Sequence, residues 1–310
     1  MPNLSASLTQ LERSLISVIG IEVARGVSTS EFTSMAVGGP ADLVVDISSA
    51  ESLARATKIF VESRMPWMIL GGGSNTIFQD EGYRGALVRM KGELTRIEVL
   101  ADEHLIRAGA GANVSRLMQT AKRAGLSGLE FFAGIPGTLG GALAGNSGAG
   151  GDDVCSVASW VELLGSDGKI ERLERGDFSY GYRKSSLRDR IILGAGLTLT
   201  PDITDAIQSR IDAHLGKRME QPLREQTSGC MFKNPPGDFA GRLIDQAELK
   251  NVSVGGISVS GIHANFMVNS GAGTADDIAR LLELVAARVS ENSGVRLETE
   301  VRLINATHSL

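Results

Sequence analysis

An apolar run, Trp67-Met68-Ile69-Leu70, ends directly in Gly71-Gly72-Gly73-Ser74-Asn75. A strand that runs into three glycines must turn with its backbone laid bare. Glycine reaches positive φ without steric penalty and lets a ligand or another backbone come close. Successive N–H groups in such a turn form a concavity that attracts phosphate. Ser74 and Asn75 add side-chain donors. A plain strand-to-strand turn needs only one or two glycines, so this one reads as a phosphate cradle.

A second cluster, Gly134-Ile135-Pro136-Gly137-Thr138-Leu139-Gly140-Gly141, continues to Gly145-Asn146-Ser147-Gly148. Its spacing imitates a dinucleotide fingerprint, but no G-x-G opens it and no βαβ unit with an acidic residue at the expected offset surrounds it. No G-x-x-x-x-G-K-[ST] occurs anywhere, which excludes a P-loop. Close packing through small residues would explain one such cluster. Two clusters favour a long ligand threaded against bare backbone, such as a dinucleotide cofactor.

Composition limits the partners. Lys+Arg 31 against Asp+Glu 36 gives a net charge of −5, which argues against nucleic acid or an anionic membrane as the main partner. The 310 residues, 42% of them hydrophobic, suffice for about two or three domains with a real core. Cys155 and Cys230 lie far apart and outside any CxxC pair, so neither a disulfide framework nor a structural zinc site is expected. The start Met1-Pro2-Asn3-Leu4 carries no signal-peptide pattern. No run approaches the roughly 18 apolar residues of a membrane span. A cytoplasmic protein is expected.

Periodicity places the elements. Leu4, Leu8, Leu11, Leu15 and Val18 have helical spacing. A strand over 43–47 precedes a helix over 49–63, and strands follow over 86–90, 94–100 and 104–108. Asn113 caps a helix that Gly125 ends. Residues 133–151 are Gly- and Ala-dominated. Strands near 157–164, 169–173 and 191–199 come next, the first two joined by a hairpin at Asp167-Gly168. After Pro201 a helix spans 204–219, and 220–237 reads as loop. A second unit holds a helix over 239–247, strands near 252–259 and 265–268, a helix over 274–291 and a final strand over 295–304.

Three polar stretches can carry chemistry. Tyr180-Gly181-Tyr182-Arg183-Lys184-Ser185-Ser186 offers an arginine able to clamp a carboxylate. From this stretch alone, an ordinary surface salt bridge is the better reading. Thr227-Ser228-Gly229-Cys230-Met231-Phe232-Lys233-Asn234 sets a thiol in a polar loop beside a lysine, a setting that favours proton loss. In Leu297-Glu298-Thr299-Glu300-Val301-Arg302, strand alternation puts Glu298, Glu300 and Arg302 on one face. His104, His214, His263 and His308 are not at metal-ligand spacing, so no metal is expected. Only His263, in Gly261-Ile262-His263-Ala264-Asn265, sits in a suggestive loop.

These motifs occur in one order with Gly38-Gly39-Pro40-Ala41, Gly128-Leu129-Glu130-Phe131-Phe132, Gln221-Pro222 and Ala240-Gly241-Arg242-Leu243-Ile244. From about residue 30 to 304, the set resembles the UDP-N-acetylenolpyruvoylglucosamine reductases (UDP-N-acetylmuramate dehydrogenases), flavoenzymes of bacterial peptidoglycan precursor synthesis, in their shorter type. The resemblance implies an α+β chain: a two-subdomain FAD-binding fold of the vanillyl-alcohol-oxidase (PCMH) type plus a C-terminal α/β substrate-binding domain. The expected boundaries are 1–30 for an N-terminal lead-in, 31–203 for the FAD domain, split near 90, and 204–310 for the substrate domain.

The implied reaction passes hydride from NADPH to FAD and on to the double bond of a UDP-sugar enolpyruvyl ether. By resemblance, Arg183, Cys230 and Glu300 are catalytic, with Cys230 the proton donor, and Glu300 acts with a raised pKa. Gly71, Gly72, Gly73, Ser74, Asn75, Gly134, Ile135, Pro136, Gly137, Thr138, Gly145, Asn146 and Gly148 are expected to line FAD. Tyr182, Lys233, Asn234 and His263 are expected to contact substrate. A monomer that binds neither nucleic acid nor membrane is implied. Two segments depart from the usual pattern: Thr33-Ser34-Met35-Ala36-Val37, and Gly145–Gly151, which lacks an aromatic near 150. Two other readings fit the residues, namely an FAD oxidase of the same fold and a non-catalytic sugar-nucleotide-binding protein.

Overall fold

The computed structural model describes residues 4–222 and 224–307, and side chains from residue 8 onward. Met1-Pro2-Asn3, the side chain of Leu4, and His308 therefore lie outside the described residues. In the first sheet Ala41–Ile47 lies parallel to Tyr83–Met90, which pairs in turn with Trp67–Ile69, also parallel. Ile21–Arg25 adds an antiparallel edge. The central strands are buried along most of their length, as parallel strands covered on both faces must be. Asp46 and Arg89 are register partners and form a two-pronged ion pair at 2.6 and 2.7 Å.

The crossover from Ala41–Ile47 is the helix Ala50–Ser63. Ser49 caps it by accepting from Ser52 N–H at 3.1 Å, and Arg64 ends it in the left-handed region. Leu53, Ala56 and Phe60 face inward, and Phe60 stacks on Trp67 with centroids 5.6 Å apart. The helix Leu4–Ile16 lays Leu11 and Leu15 on the same core.

The second sheet is antiparallel throughout. Its order is Ile170–Glu174, Ala158–Leu164, Ile191–Thr198, Leu105–Gly109 and Ile97–Leu100. The helix Val114–Arg123 lies against its flank, the helix Thr204–Arg218 packs on that helix and on Glu130–Phe132, and one continuous apolar cluster joins both sheets. The Gly- and Ala-rich stretch is more ordered than its composition suggests. It contains a helix, Leu139–Gly145, capped by Thr138.

The C-terminal part has its own core. Ile278, Leu281, Leu282, Val285 and Val289 of the helix Ala275–Ser293 pack on Ala240–Gln246 and a three-stranded antiparallel sheet. The strand expected over 295–304 is a correction. Only Arg302–Ile304 is strand, and it pairs in parallel with Thr76–Phe78, just after the glycine turn. Within 295–301 the pairing is reduced to a single antiparallel bridge, Thr299 with Phe232.

Met35, Val37 and Ile77, from the flavin side of the chain by sequence, are buried in the C-terminal core. This gives the atypical 33–37 segment a packing role. Burial of each such side chain contributes about 1.5–3 kcal/mol. A net hydrogen bond contributes about 1 kcal/mol, so apolar contact dominates the joint. Two polar links fix its angle. Asn269 Nδ2 donates to Met35 O at 2.8 Å. Asp80 accepts from Ala275 N–H at 2.9 Å and Asp276 N–H at 3.1 Å, closing the first turn of the long helix. Asp80→Ala should therefore cost about 0.5–2 kcal/mol, the usual value of a helix cap, measured as a lower urea midpoint. An unchanged midpoint would show that Thr274 and Asp277 cap that helix alone.

Candidate active site

The two glycine turns meet each other. A Cβ on Gly72 would lie 2.6 Å from Gly137 Cα, and one on Gly71 would lie 2.7 Å from Thr138 Oγ1. Gly73, at φ +62°, presses on Phe32 O. The sequence alone explained these glycines by ligand approach. The structure gives them a nearer reason: 71–73 and 137–138 pack backbone on backbone. Ser74 Oγ adds a bond to Pro136 O at 3.3 Å.

Donors still remain. The N–H groups of Gly71 to Asn75 have no acceptor among the described residues. Ser34 Oγ, whose own N–H bonds Gly73 O at 3.1 Å, is buried without a partner. Gly145 has open space where a Cβ would stand. This joined pair of turns, with unspent N–H groups, fits a phosphate-bearing cofactor. The asparagines behave otherwise. Asn75 Nδ2 donates to Glu300 O at 3.1 Å. Asn146, 2% exposed, donates to Gly181 O at 2.9 Å and accepts from Cys155 N–H at 3.2 Å.

Arg183 sits at the tip of a hairpin, Tyr180–Gly181 against Lys184–Ser185. Its φ of +55° is left-handed, which costs a non-glycine residue roughly 1–2 kcal/mol. Its guanidinium stands 5.3 Å above the Tyr182 ring, and Nη1 donates to Gly148 O at 3.3 Å. Nε lies 2.6 Å from Glu300 Oε1 as an ion pair, without the alignment of a hydrogen bond. Burial pushes the Glu300 carboxyl above its ordinary value, against the opposing charges of Arg183 and Lys233.

The Cys230 loop runs beside Glu300. Glu300 N–H donates to Met231 O at 2.8 Å, Lys233 N–H to Glu298 O at 2.9 Å, and Phe232 bridges Thr299. Asn265, 2% exposed, holds the other side, exchanging side-chain bonds with Phe232 N–H and O at 3.0 and 2.7 Å. The expectation of an acidic thiol is reversed. Burial pushes Cys230 up to about 12, with the Glu300 charge adding to it and Arg183 and Arg218 opposing. The Lys233 ammonium is paired with Glu298 instead. A thiol that keeps its proton is a proton donor rather than a nucleophile.

Tyr182 Oη accepts from Asn234 N–H at 3.4 Å, which links the hairpin to the cysteine loop. The Asn234 carbonyl is spent on Ala240 N–H at 3.0 Å, at the start of a helix. His263 Nδ1 accepts from Asn265 N–H at 3.2 Å, and burial lowers its pKa, which favours neutral imidazole with Nε2 as donor. One group was not legible in sequence. Arg218, at the end of Thr204–Arg218, runs its Cδ over Gly134 and brings a half-buried cation near Cys230 and Arg183. It looked like the last turn of an ordinary amphipathic helix.

Comparison with known proteins agrees with this geometry. Residues 221–304 match the family described as UDP-N-acetylenolpyruvoylglucosamine reductase, C-terminal domain. Residues 41–174 match an FAD binding domain. The chain is 40% identical over 284 residues to UDP-N-acetylenolpyruvoylglucosamine reductase 2 of Symbiobacterium thermophilum, covering 91% of this chain and 92% of that protein. It is 41% identical over 276 residues to the reductase of Rubrobacter xylanophilus, covering 88% and 92%. The crystal structure of UDP-N-acetylenolpyruvylglucosamine reductase from Thermus caldophilus superposes with a TM-score of 0.81 at 35% identity, over 91% of this chain and 99% of that one. The FAD-binding fold of the PCMH type and the C-terminal domain expected from sequence are both present.

Gly72→Ala should force the two turns apart, since neither backbone can yield to the new methyl. A loss of about 1–3 kcal/mol and a lower FAD content in the purified protein are expected. Full FAD content would show that contact between the turns does not shape the cofactor site.

Proposed function

The chain belongs to the UDP-N-acetylenolpyruvoylglucosamine reductase family, and from that premise we propose that it reduces UDP-N-acetylglucosamine enolpyruvate to UDP-N-acetylmuramate with NADPH as electron source. The observation that carries this reading is the meeting of Arg183, Glu300 and the protonated Cys230 thiol beside the paired glycine turns. The turns 71–75 and 134–138, with Gly145 and Gly148, would hold FAD through backbone N–H groups and open space. When bound, FAD supplies the redox chemistry, accepting hydride from NADPH and delivering it to the terminal carbon of the substrate double bond.

The chain's own residues do the rest. Arg183 has guanidinium donors left after its contacts with Glu300 and Gly148, and these would pair with the substrate carboxylate. As hydride reaches the terminal carbon, the double-bond electron pair moves to the adjacent carbon and into the carboxylate. Arg183 and a Glu300 carboxyl that holds its proton more firmly than usual would stabilise that charge. Cys230 then gives its S–H proton to the adjacent carbon, and solvent reprotonates the thiolate, which Arg183 and Arg218 favour. The balance is one NADPH and one proton consumed, with one hydrogen added to each carbon of the double bond.

Tyr182, Lys233, Asn234 and His263 would contact the sugar nucleotide from the hairpin and the C-terminal loops. We divide the chain at about 203/204 between cofactor and substrate domains, and read it as a cytoplasmic monomer. No helix among the described residues is long and apolar enough to cross a membrane.

Cys230→Ala tests the proton-donor role. NADPH should still reduce the bound flavin within about threefold of the wild-type rate. Reoxidation by the enolpyruvyl substrate should fall by on the order of 10²–10⁴, and Cys230→Ser should recover part of it. Equal losses in the two half-reactions would remove Cys230 from that role.

A further inference from the structure

Each glycine loop contains one asparagine, and each spends a carboxamide N–H on a backbone carbonyl of a segment that carries a candidate catalytic side chain. Asn75 follows the first turn. Its Nδ2 donates to Glu300 O at 3.1 Å, and its own carbonyl accepts from Arg302 N–H at 3.1 Å. It therefore grips the backbone on both sides of Val301, fixing the segment from which the Glu300 carboxyl projects. Asn146 ends the helix of the second loop in the left-handed region, at φ +46°. It donates to Gly181 O at 2.9 Å while Cys155 N–H fixes its other atom at 3.2 Å. Gly181 is two residues from Arg183 and is part of the hairpin that carries it. A second bond, Arg183 Nη1 to Gly148 O, ties the same hairpin to the same loop.

We propose that Asn75 and Asn146 are positioning residues, which lock the Glu300 and Arg183 halves of the ion pair onto the two cofactor loops. The pair spans two segments that do not otherwise share an element. The 2.6 Å separation of Nε and Oε1 is set by where the two backbones stand, and on each backbone one carboxamide bond reinforces the strand pairing and loop contacts that bring it there. Displacement of either by about 1 Å would misalign the groups at the reacting carbon, and such errors cost on the order of 10²-fold in rate. This proposal rests on the functional reading above.

Asn75→Ala removes the donor to Glu300 O and adds no charge to the turn, whose backbone N–H groups it keeps. Its FAD affinity, read by fluorescence titration, should stay within about threefold of wild type, as should flavin reduction by NADPH. Reoxidation by the enolpyruvyl substrate should slow by on the order of 10²-fold. Adding Glu300→Gln to Asn75→Ala should slow that step no more than Glu300→Gln alone, because the asparagine acts through the glutamate. Asn146→Ala, checked by its melting temperature, should repeat the pattern against Arg183→Ala, and half-buried Asn75→Ser gives a second variant. Loss of FAD in step with activity, or fully additive losses in the double variants, would overturn the proposal.

Alkylation reads the same coupling without substrate. Releasing Glu300 in Asn75→Ala should lower the Cys230 pKa and speed its reaction with iodoacetamide by about threefold or more, located by peptide mapping against Cys155. An unchanged rate would overturn the proposal. A wild-type enzyme that the enolpyruvyl substrate fails to reoxidise would sink the functional reading, and the alkylation rates would still decide the positioning role.

Discussion

The parallel pairing of Arg302–Ile304 with Thr76–Phe78 is the contact on which the rest of the site depends. It joins the last described strand to the strand that leaves the first glycine turn. Glu300 lies two residues before one partner and Asn75 one residue before the other, so the pairing brings a carboxyl from the end of the chain onto the first glycine turn. Cys230 follows, because its loop runs beside 298–300 through the Met231, Phe232 and Lys233 contacts. Arg183 arrives independently, on a hairpin tied to the second loop. The shared core of Met35, Val37 and Ile77 with the C-terminal helices makes these approaches cooperative.

Electrostatics then set one cation against two groups that burial shifts the same way. Arg183 is a fixed cation. Glu300 and Cys230 are both pushed toward their protonated forms by burial, and each carries the field of Arg183 as a counterweight. Desolvation wins because both groups are removed from water, where a charged form is costly. An enolate-like charge forming among them would meet one cation, a protonated thiol and a carboxyl that holds its proton more firmly than usual. That arrangement suits a reaction in which charge appears and is quenched in place.

Much of this was legible in the sequence. Helical spacing placed Leu11 and Leu15, and Ile278 through Val289, correctly on their cores. Asn113 does cap its helix, accepting from Arg116 N–H at 3.0 Å. These signals are local, set by one turn of helix or one cap. The pairing of 302–304 with 76–78 is not local. Nothing in a short window shows that Asn75 bonds a residue 225 positions away, and so its amide read as a ligand donor. Lys233 misled for the same reason. It is three residues from Cys230 in sequence, but its ammonium turns to Glu298. Glu298 and Glu300 looked equivalent by alternation. They separate by their surroundings: Glu298 pairs with Lys233 at 70% side-chain exposure, and Glu300 faces Arg183 at 16%.

The most direct test is the visible spectrum of the purified protein under anaerobic conditions, recorded before NADPH, after NADPH and after UDP-N-acetylglucosamine enolpyruvate. Flavin bands that bleach with NADPH and return with the enolpyruvyl substrate are expected if the paired turns hold FAD and the Arg183, Glu300 and Cys230 group completes the reduction. Bands that return only with oxygen would contradict it and point to an oxidase on the same fold. A protein that takes up no flavin, even when FAD is supplied, would contradict the cofactor site itself.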